Sequence, residues 1–133
     1  MNWKIKREII DLLKQERGYK LKKKGGDVNI LLIYPNSYNV GINNLGYLGI
    51  YEILNRHKGI LCERAYIPFD WKKRKNFSLY SIESFRPSLE FDVWAFSISF
   101  ELDFFNVVYI LKKENIPLFS KDRDDLYPLI IGG

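Results

Sequence analysis

Ten residues stand at or just beyond the ends of apolar runs and have the types to contact a ligand. Backbone N–H groups at the start of a helix receive polar groups, and glycine lets a ligand approach the backbone closely. Serine hydroxyls at a strand end can hydrogen-bond a ligand without blocking it. None of the ten forms a nucleophile–base pair, so we predict a cofactor-binding site and no catalytic residue. The predicted residues are Pro35, Asn36, Ser37, Gly41, Asn44, Gly46, Ser97, Ser99, Gly132 and Gly133.

Residues that often carry chemistry in other proteins are isolated in this chain. His57 is the only histidine and falls in a polar turn, where exposure without function is the usual state. Cys62 is the only cysteine, which excludes an internal disulfide and a cysteine-based iron–sulfur or zinc site within these residues. The acidic segment 122–125 lacks the ligand spacing of a calcium loop. We therefore predict no metal site.

The order of apolar runs and helical patterns predicts a parallel α/β sheet. Val28 to Tyr34 is apolar except for Asn29, as in a central strand covered by helices on both faces. A loop over 36–44 and a helix reaching about Arg56 follow, and Asn43 or Asn44 is the predicted helix cap. Further strands are predicted at 61–67, 92–99 and 129–131, with another helix at 101–115. Ligands in such sheets bind at the carboxyl ends of the strands, where the ten residues fall.

Two of these features have structural alternatives that the sequence leaves open. Gly46 and Gly49 lie one turn apart at the start of a predicted helix, where glycine lowers helix stability. They accommodate either a ligand's polar group or tight packing of the helix on the sheet. The serines at 97–99 either face a ligand or cap the following helix.

The positive charge of the chain is concentrated before the predicted sheet. Residues 1–26 hold nine basic and three acidic residues, a net charge of +6, whereas the other 12 basic and 13 acidic residues give −1. We divide the chain into a helix and basic linker at 1–27, with the helix at 2–16, and an α/β domain at 28–133. The basic arm allows contact with RNA, but an arm that is only solvated is the simpler interpretation.

The sequence also bears on membranes, compartment and association. Its apolar runs are shorter than a membrane span, and the charged N-terminus has no apolar core of a signal peptide, so we expect no membrane partner and a cytoplasmic location. In the helix at 101–115, Phe105 and Tyr109 widen an apolar stripe made by Phe104, Val107, Val108 and Leu111. A surface helix needs only one apolar face. We therefore expect a second contact surface there, such as self-association.

Four stretches together resemble radical SAM proteins that carry an N-terminal cobalamin-binding-like domain. They are LIYPNSYNVGINNLGY, SLYSIESFRPSLEFDVWAFSISFEL, ENIPLFSKDRDDLYPLIIGG and, more loosely, RAYIPFDW. The resemblance covers roughly residues 28–133. It implies a three-layer, mostly parallel α/β fold of the Rossmann or flavodoxin-like type, with strand order 2-1-3-4. The predicted sheet stops after its fourth strand, so we expect a truncated domain.

The resemblance also implies a division of labour with a radical SAM barrel, in the same chain or a separate one. The barrel would hold a 4Fe-4S cluster and S-adenosylmethionine, because this chain has no CxxxCxxC motif. The domain would bind cobalamin and position a cofactor or substrate without catalysing the reaction. It lacks the DxHxxG loop by which many such domains supply a histidine to cobalt, since Pro35-Asn36-Ser37-Tyr38 stands there. A fold kept after loss of the cofactor, acting as a ligand-free interaction module, is the alternative.

Overall fold

The computed structural model describes residues 3–17, 21, 23, 25–68, 70–74 and 78–133. The predicted linker is therefore described only in part, and residues 18–20, 22 and 24 lie outside the described residues. The strands are β1 (Val28–Tyr34), β2 (Ile60–Tyr66), β3 (Val93–Phe96) and β4 (Leu129–Gly132). The α-helices are α1 (Trp3–Gln15), α2 (Tyr38–Gly41), α3 (Leu45–Asn55) and α4 (Asp103–Lys113).

The four described strands form one sheet in which β1 lies between two neighbours. The order is β2-β1-β3-β4, and every pair is parallel. Leu31, Leu32 and Ile33 of β1 are almost fully buried, as expected for a strand covered on both faces. The structure confirms the predicted α/β class and the strand order 2-1-3-4.

Alternating side chains of β1 contribute to two different cores. Leu31 and Ile33 belong to the core that contains Trp94 of β3 and Ile110 of α4. Leu32 and Tyr34 belong to the core on the other face, built with Tyr47 and Tyr51 of α3. The tyrosine rings on this side meet edge to face, with the Tyr34 and Tyr47 centroids 5.3 Å apart. Helices α3 and α4 therefore cover opposite faces of the sheet.

Helix α1 rests on the tyrosine side without burying any of its own residues. Ile9 and Leu13 of its apolar face pack against that core. Beyond the helix, Glu16 accepts hydrogen bonds from Arg64 of β2, with Nη2 2.9 Å from Oε2. Tyr38 also donates to Glu16, at 2.5 Å. Because the Arg64 side chain is only 5% exposed, a buried ionic contact holds the end of α1 on the sheet.

Several element bounds differ from those predicted. β3 ends at Phe96, three residues earlier than expected, and the loop predicted over 36–44 contains the one-turn helix α2. In α4, Ile110 and Leu111 are buried, whereas Phe104 and Val108 of the predicted stripe are exposed. The inward line runs through the buried Asp103, Ile110 and Leu111 and the partly buried Val107, a helical spacing that a polar residue disguises in the sequence. Within the described ranges, every helix is too short or too polar to span a bilayer.

Candidate functional site

The connections that leave the carboxyl ends of β1 and β3 run to opposite sides of the sheet. From β1 the chain passes through α3 to β2 on one side, and from β3 it passes through α4 to β4 on the other. Adjacent parallel strands whose connections diverge in this way leave a crevice outside their carboxyl ends. We call this region, bounded by loops 35–44 and 97–102, the switch-point crevice.

Asn44 ties the two loops of the switch-point crevice together. Its Oδ1 accepts a hydrogen bond from the backbone N–H of Tyr47 at 2.9 Å, which caps α3 as the sequence predicts. Its Nδ2 donates to the Ser99 hydroxyl at 2.9 Å. One amide side chain therefore fixes both the start of a helix and the position of the opposite loop.

Asn36 and Pro35 connect the first loop to α4. The Asn36 Oδ1 accepts from the backbone N–H of Ser37 at 2.8 Å, and its Nδ2 lies 3.4 Å from the Asp103 Oδ1. Asn106 donates from Nδ2 to the Pro35 carbonyl at 2.8 Å. The first turn of α4 thus closes one side of the crevice.

Asp103 is a residue of this region that sequence reasoning missed. It is 3% exposed, and its Oδ2 has no hydrogen-bond donor among the described residues. A buried carboxylate oxygen is costly unless it receives a hydrogen bond, so Asp103 Oδ2 is an unsatisfied polar group beside the crevice. The sequence signal for Asp103 was an acidic residue in the first turn of a predicted helix, just after a strand end that contains serines. Acidic residues at that position are usually explained by their favourable interaction with the helix dipole.

The glycines and serines of the predicted set occupy different environments. Gly133 pairs with the end of β3, where its N–H donates to the Phe96 carbonyl at 3.1 Å and its carbonyl accepts from Ile98 at 2.9 Å. The exposed pair Gly132-Gly133 therefore lies beside the loop that holds Ser97 and Ser99. The N–H of Ser97 donates to the Ile33 carbonyl at 2.9 Å, which continues the strand pairing past β3.

Gly41 fills a packing role, whereas Gly46 and Gly49 do not. A Cβ on Gly41 would lie 2.5 Å from the Tyr66 ring and 2.9 Å from the Tyr34 ring. A Cβ on Gly46 would meet only the Asn44 Oδ1, at 3.4 Å, and one on Gly49 would meet nothing within 4 Å. Tight packing of α3 on the sheet therefore does not account for Gly46 and Gly49. Of the ten predicted residues, Pro35 and Gly41 are buried and four others are half-buried. The exposed members are Gly46, Ser99, Gly132 and Gly133.

Cys62 and two cations of the basic arm, which were considered from the sequence, make contacts within the fold. Burial raises the pKa of the Cys62 thiol well above its ordinary value of 9.0, which keeps the sulfur protonated and unreactive. Lys23 of the basic arm donates to the carbonyls of His57 and Ile60, the latter at 2.8 Å. Lys6 lies over the Phe85 ring, 5.0 Å from its centroid. Two cations of the arm thus contact the domain itself, and RNA binding stays a prediction.

Cobalamin fits the chemistry of the switch-point crevice only in part. The exposed Ser99 hydroxyl and glycines, together with the half-buried Asn44 amide, suit the polar side chains around a corrin ring. The loop after β1 contains no histidine, so it offers no imidazole to cobalt. Its Asn36 is hydrogen-bonded to Ser37 and Asp103, and its Tyr38 to Glu16. Any corrinoid bound here would lack a histidine ligand from this loop.

Comparisons with known proteins give one family. A model described as "Radical SAM proteins, N-terminal" matches residues 46–133, which includes α3 from its second residue, β2, β3, α4 and β4, but not α1, β1 or α2. A search of curated proteins and a search of solved structures each found no match. Since the matched range is more than half of the 133 residues, the chain belongs to the family of radical SAM proteins, within their N-terminal region.

Proposed function

We propose that this chain is a non-catalytic domain that holds a cofactor or substrate in the switch-point crevice and presents it to a radical SAM barrel. The observation that carries the proposal is the linked pair of loops at the carboxyl ends of β1 and β3, joined by Asn44 and Ser99. Such a crevice is the usual ligand position in open α/β sheets. Family membership supports a barrel as the reaction partner.

The rim of the crevice supports contact with another protein surface. Leu45, at the start of α3, is 83% exposed, and Phe100 and Leu102 in the loop after β3 are 60% and 75% exposed. Apolar side chains grouped around a polar opening are typical of an interface that closes over a ligand. The 4Fe-4S cluster and S-adenosylmethionine belong to the barrel in this proposal, because one cysteine, Cys62, does not supply a cluster.

The finer part of the proposal is that the ligand is a corrinoid bound through its periphery. Its support is the resemblance of residues 28–133 to cobalamin-binding-like domains and the polar lining by Asn44, Ser99 and Gly133. The test is titration of the chain with hydroxocobalamin, followed by visible absorption. We expect a saturable spectral change that weakens in Asn44→Ala and Ser99→Ala. Ser120→Ala, at an exposed serine far along the chain from the crevice loops, is the matched control.

Two outcomes separate the parts of this proposal. An unchanged spectrum at tens of micromolar removes cobalamin from the chain but leaves the barrel interaction to be tested. That interaction is measured by calorimetric titration of the chain with a radical SAM barrel, using Leu102→Glu against Leu126→Glu. Both leucines are exposed, at 75% and 88%, but only Leu102 borders the crevice. Equal affinities for the two variants would contradict docking at the crevice.

A second candidate is a ligand-free interaction module that associates through α4. Phe105 is 74% exposed, which favours a contact on that helix. Tyr109, the other residue predicted for this surface, packs on Trp71 with ring centroids 4.4 Å apart. Sedimentation velocity on wild type and Phe105→Ser tests self-association. A wild-type chain that stays monomeric, or dimers that persist in Phe105→Ser, would exclude this surface.

A further inference from the structure

Arg64 and Tyr38 hold the Glu16 carboxylate with three converging donors. The Nη1 and Nη2 of Arg64 donate to the two carboxylate oxygens of Glu16, at 3.1 and 2.9 Å. The Tyr38 hydroxyl donates to the same carboxylate at 2.5 Å. Paired guanidinium bonds to both oxygens are the geometry by which arginine recognises a carboxylate in a ligand. We call these three donors the carboxylate seat.

The donors of the carboxylate seat are also held by other parts of the fold. Arg64 Nε donates to Glu83 Oε1 at 2.7 Å, and the Arg64 backbone N–H donates to Glu83 Oε2 at 2.8 Å. The guanidinium carbon lies 4.6 Å from the centroid of the Tyr51 ring. The Tyr38 ring meets the Tyr66 ring edge to face, with centroids 5.0 Å apart. The seat therefore keeps supports of its own when its carboxylate is exchanged, and such preorganisation favours binding.

The carboxylate in the seat comes from a loosely packed arm. Ile9 and Leu13 rest on the tyrosine core, but no residue of α1 is buried. Glu16 and Arg64 together line two cavities, of about 690 and 460 Å³. Both volumes lie in the range of about 300–1,000 Å³ that is usual for small-molecule sites. Space for a ligand therefore adjoins Arg64 on the surface that α1 partly covers.

The acids around the seat favour a ligand with a single negative charge. Glu83 and the buried Glu63 remain when Glu16 leaves, and Glu63 acts on Glu83 to raise its pKa, after the larger effect of burial. One carboxylate that replaces Glu16 leaves the local charge unchanged. A phosphate group brings more than one negative charge close to these acids, which costs electrostatic energy. The seat therefore selects a carboxylate over a phosphate.

The other charged residues that line the two cavities do not oppose an anion. Two of them, Arg17 and Lys14, are cations. The third is Glu52, whose carboxylate lies 2.7 Å from Arg56 Nη2. Ile42, Leu48 and the Tyr51 ring add apolar wall to the larger cavity. An apolar body attached to the carboxylate would therefore find apolar contacts there.

We propose that Arg64 and Tyr38 form a binding site for the carboxylate of a small organic acid, which Glu16 occupies as an internal ligand and vacates when α1 lifts. The site goes beyond the proposed function, and only Tyr38 of the seat belongs to the loops of the switch-point crevice. Because Glu16 is tethered, it competes with an external acid at high effective concentration. The wild-type chain therefore binds the acid more weakly than the open seat does.

Benzoate is the probe, and benzamide is its uncharged counterpart of nearly the same shape. NMR titration follows the Arg64 side-chain Nε–H signal and the Tyr38 backbone N–H signal. In Glu16→Ala we expect saturable shifts with benzoate, none with benzamide, and weaker binding of inorganic phosphate. Wild type should show the same benzoate shifts at concentrations about tenfold higher or more, because Glu16 competes. Tyr38→Phe in the Glu16→Ala background should weaken benzoate binding severalfold.

Glu52→Ala is the matched control, because it removes a carboxylate that lines the larger cavity and belongs to an exposed pair. It should bind benzoate no more tightly than wild type does. Glu16→Gln keeps a polar group against Arg64 without its charge and should bind benzoate with intermediate affinity, so the test does not depend on the folding of Glu16→Ala. The proposal is overturned by equal affinities in wild type and both Glu16 variants, by a wild-type chain that never responds, or by an equal response to benzamide. Tighter binding of phosphate than of benzoate would also overturn it.

Discussion

The Asn44 side chain joins Ser99, 2.9 Å away, while it caps α3 through its other end. The two functions of Asn44 can be separated by substitution. Asn44→Ala loses both the cap and the loop contact and should lower the free energy of unfolding by about 1–2 kcal/mol. Asn44→Ser keeps a capping oxygen but is too short to reach Ser99, so it should cost less than Asn44→Ala. Urea unfolding measures these differences. Ser99→Ala removes only the loop contact, and a cost equal to that of Asn44→Ala would contradict the assignment of the cap.

Gly41 and Gly49 should respond in opposite directions to the same change. Gly41→Ala forces a methyl group against the Tyr34 and Tyr66 rings and should destabilise the fold by about 1–3 kcal/mol, as overpacking does. Gly49→Ala adds a methyl group where nothing lies within 4 Å, inside α3, and should stabilise by about 0.5–1 kcal/mol. Thermal or urea unfolding gives both values. A loss of stability in Gly49→Ala would show that α3 packs more closely than described.

Arg64 should be the most costly cation to remove among those paired in the described part of the chain. It binds Glu16 and Glu83 at 2.9 and 2.7 Å, with the arginine side chain 5% exposed and the carboxylates 14% and 12% exposed. Arg64→Met leaves two largely buried carboxylates without their cation and should cost about 3–5 kcal/mol. Arg56→Met removes an exposed pair with Glu52 and should cost less than about 0.5 kcal/mol. Similar costs for the two variants would place Arg64 in contact with water.

Glu114 should make stability depend on pH in a direction unusual for a carboxylate. Burial raises its pKa above the ordinary value of 4.5, while its Oε1 accepts a hydrogen bond from the backbone N–H of Leu79. Between the two pKa values the folded chain keeps a proton that the unfolded chain has lost, so stability falls as pH rises above 4.5. Urea unfolding of wild type and Glu114→Gln from about pH 4 to about pH 8 isolates this effect. The difference between them should change across that window, and a constant difference would contradict the raised pKa.

The parts of the fold that follow from local pattern were predictable, and those set by tertiary contact were not. β1 was readable because both of its faces are buried, so its residues are apolar without interruption after Asn29. The inward line of α4 was not, because it includes the polar Asp103, which contacts Asn36 from a distant part of the chain. The sequence also located the end of β1, and hence one side of the crevice. It gave no sign of the ionic contact between Arg64 of β2 and Glu16, which joins residues 48 positions apart.

The central position of β1 also has a kinetic consequence. Val28 pairs with Ile60, Ile30 with Val93, and Val93 with Leu129, so no described strand pairs with a neighbour across a tight turn. Every pairing must wait until a long intervening segment has closed, and chains dominated by distant pairings fold slowly. Until β3 pairs with it, β1 exposes a row of unpaired backbone groups along one edge, beside the apolar side chains of Leu31 and Ile33, and such an edge is a template for aggregation. During synthesis, β1 therefore stays incompletely paired until the chain has been extended through Phe96.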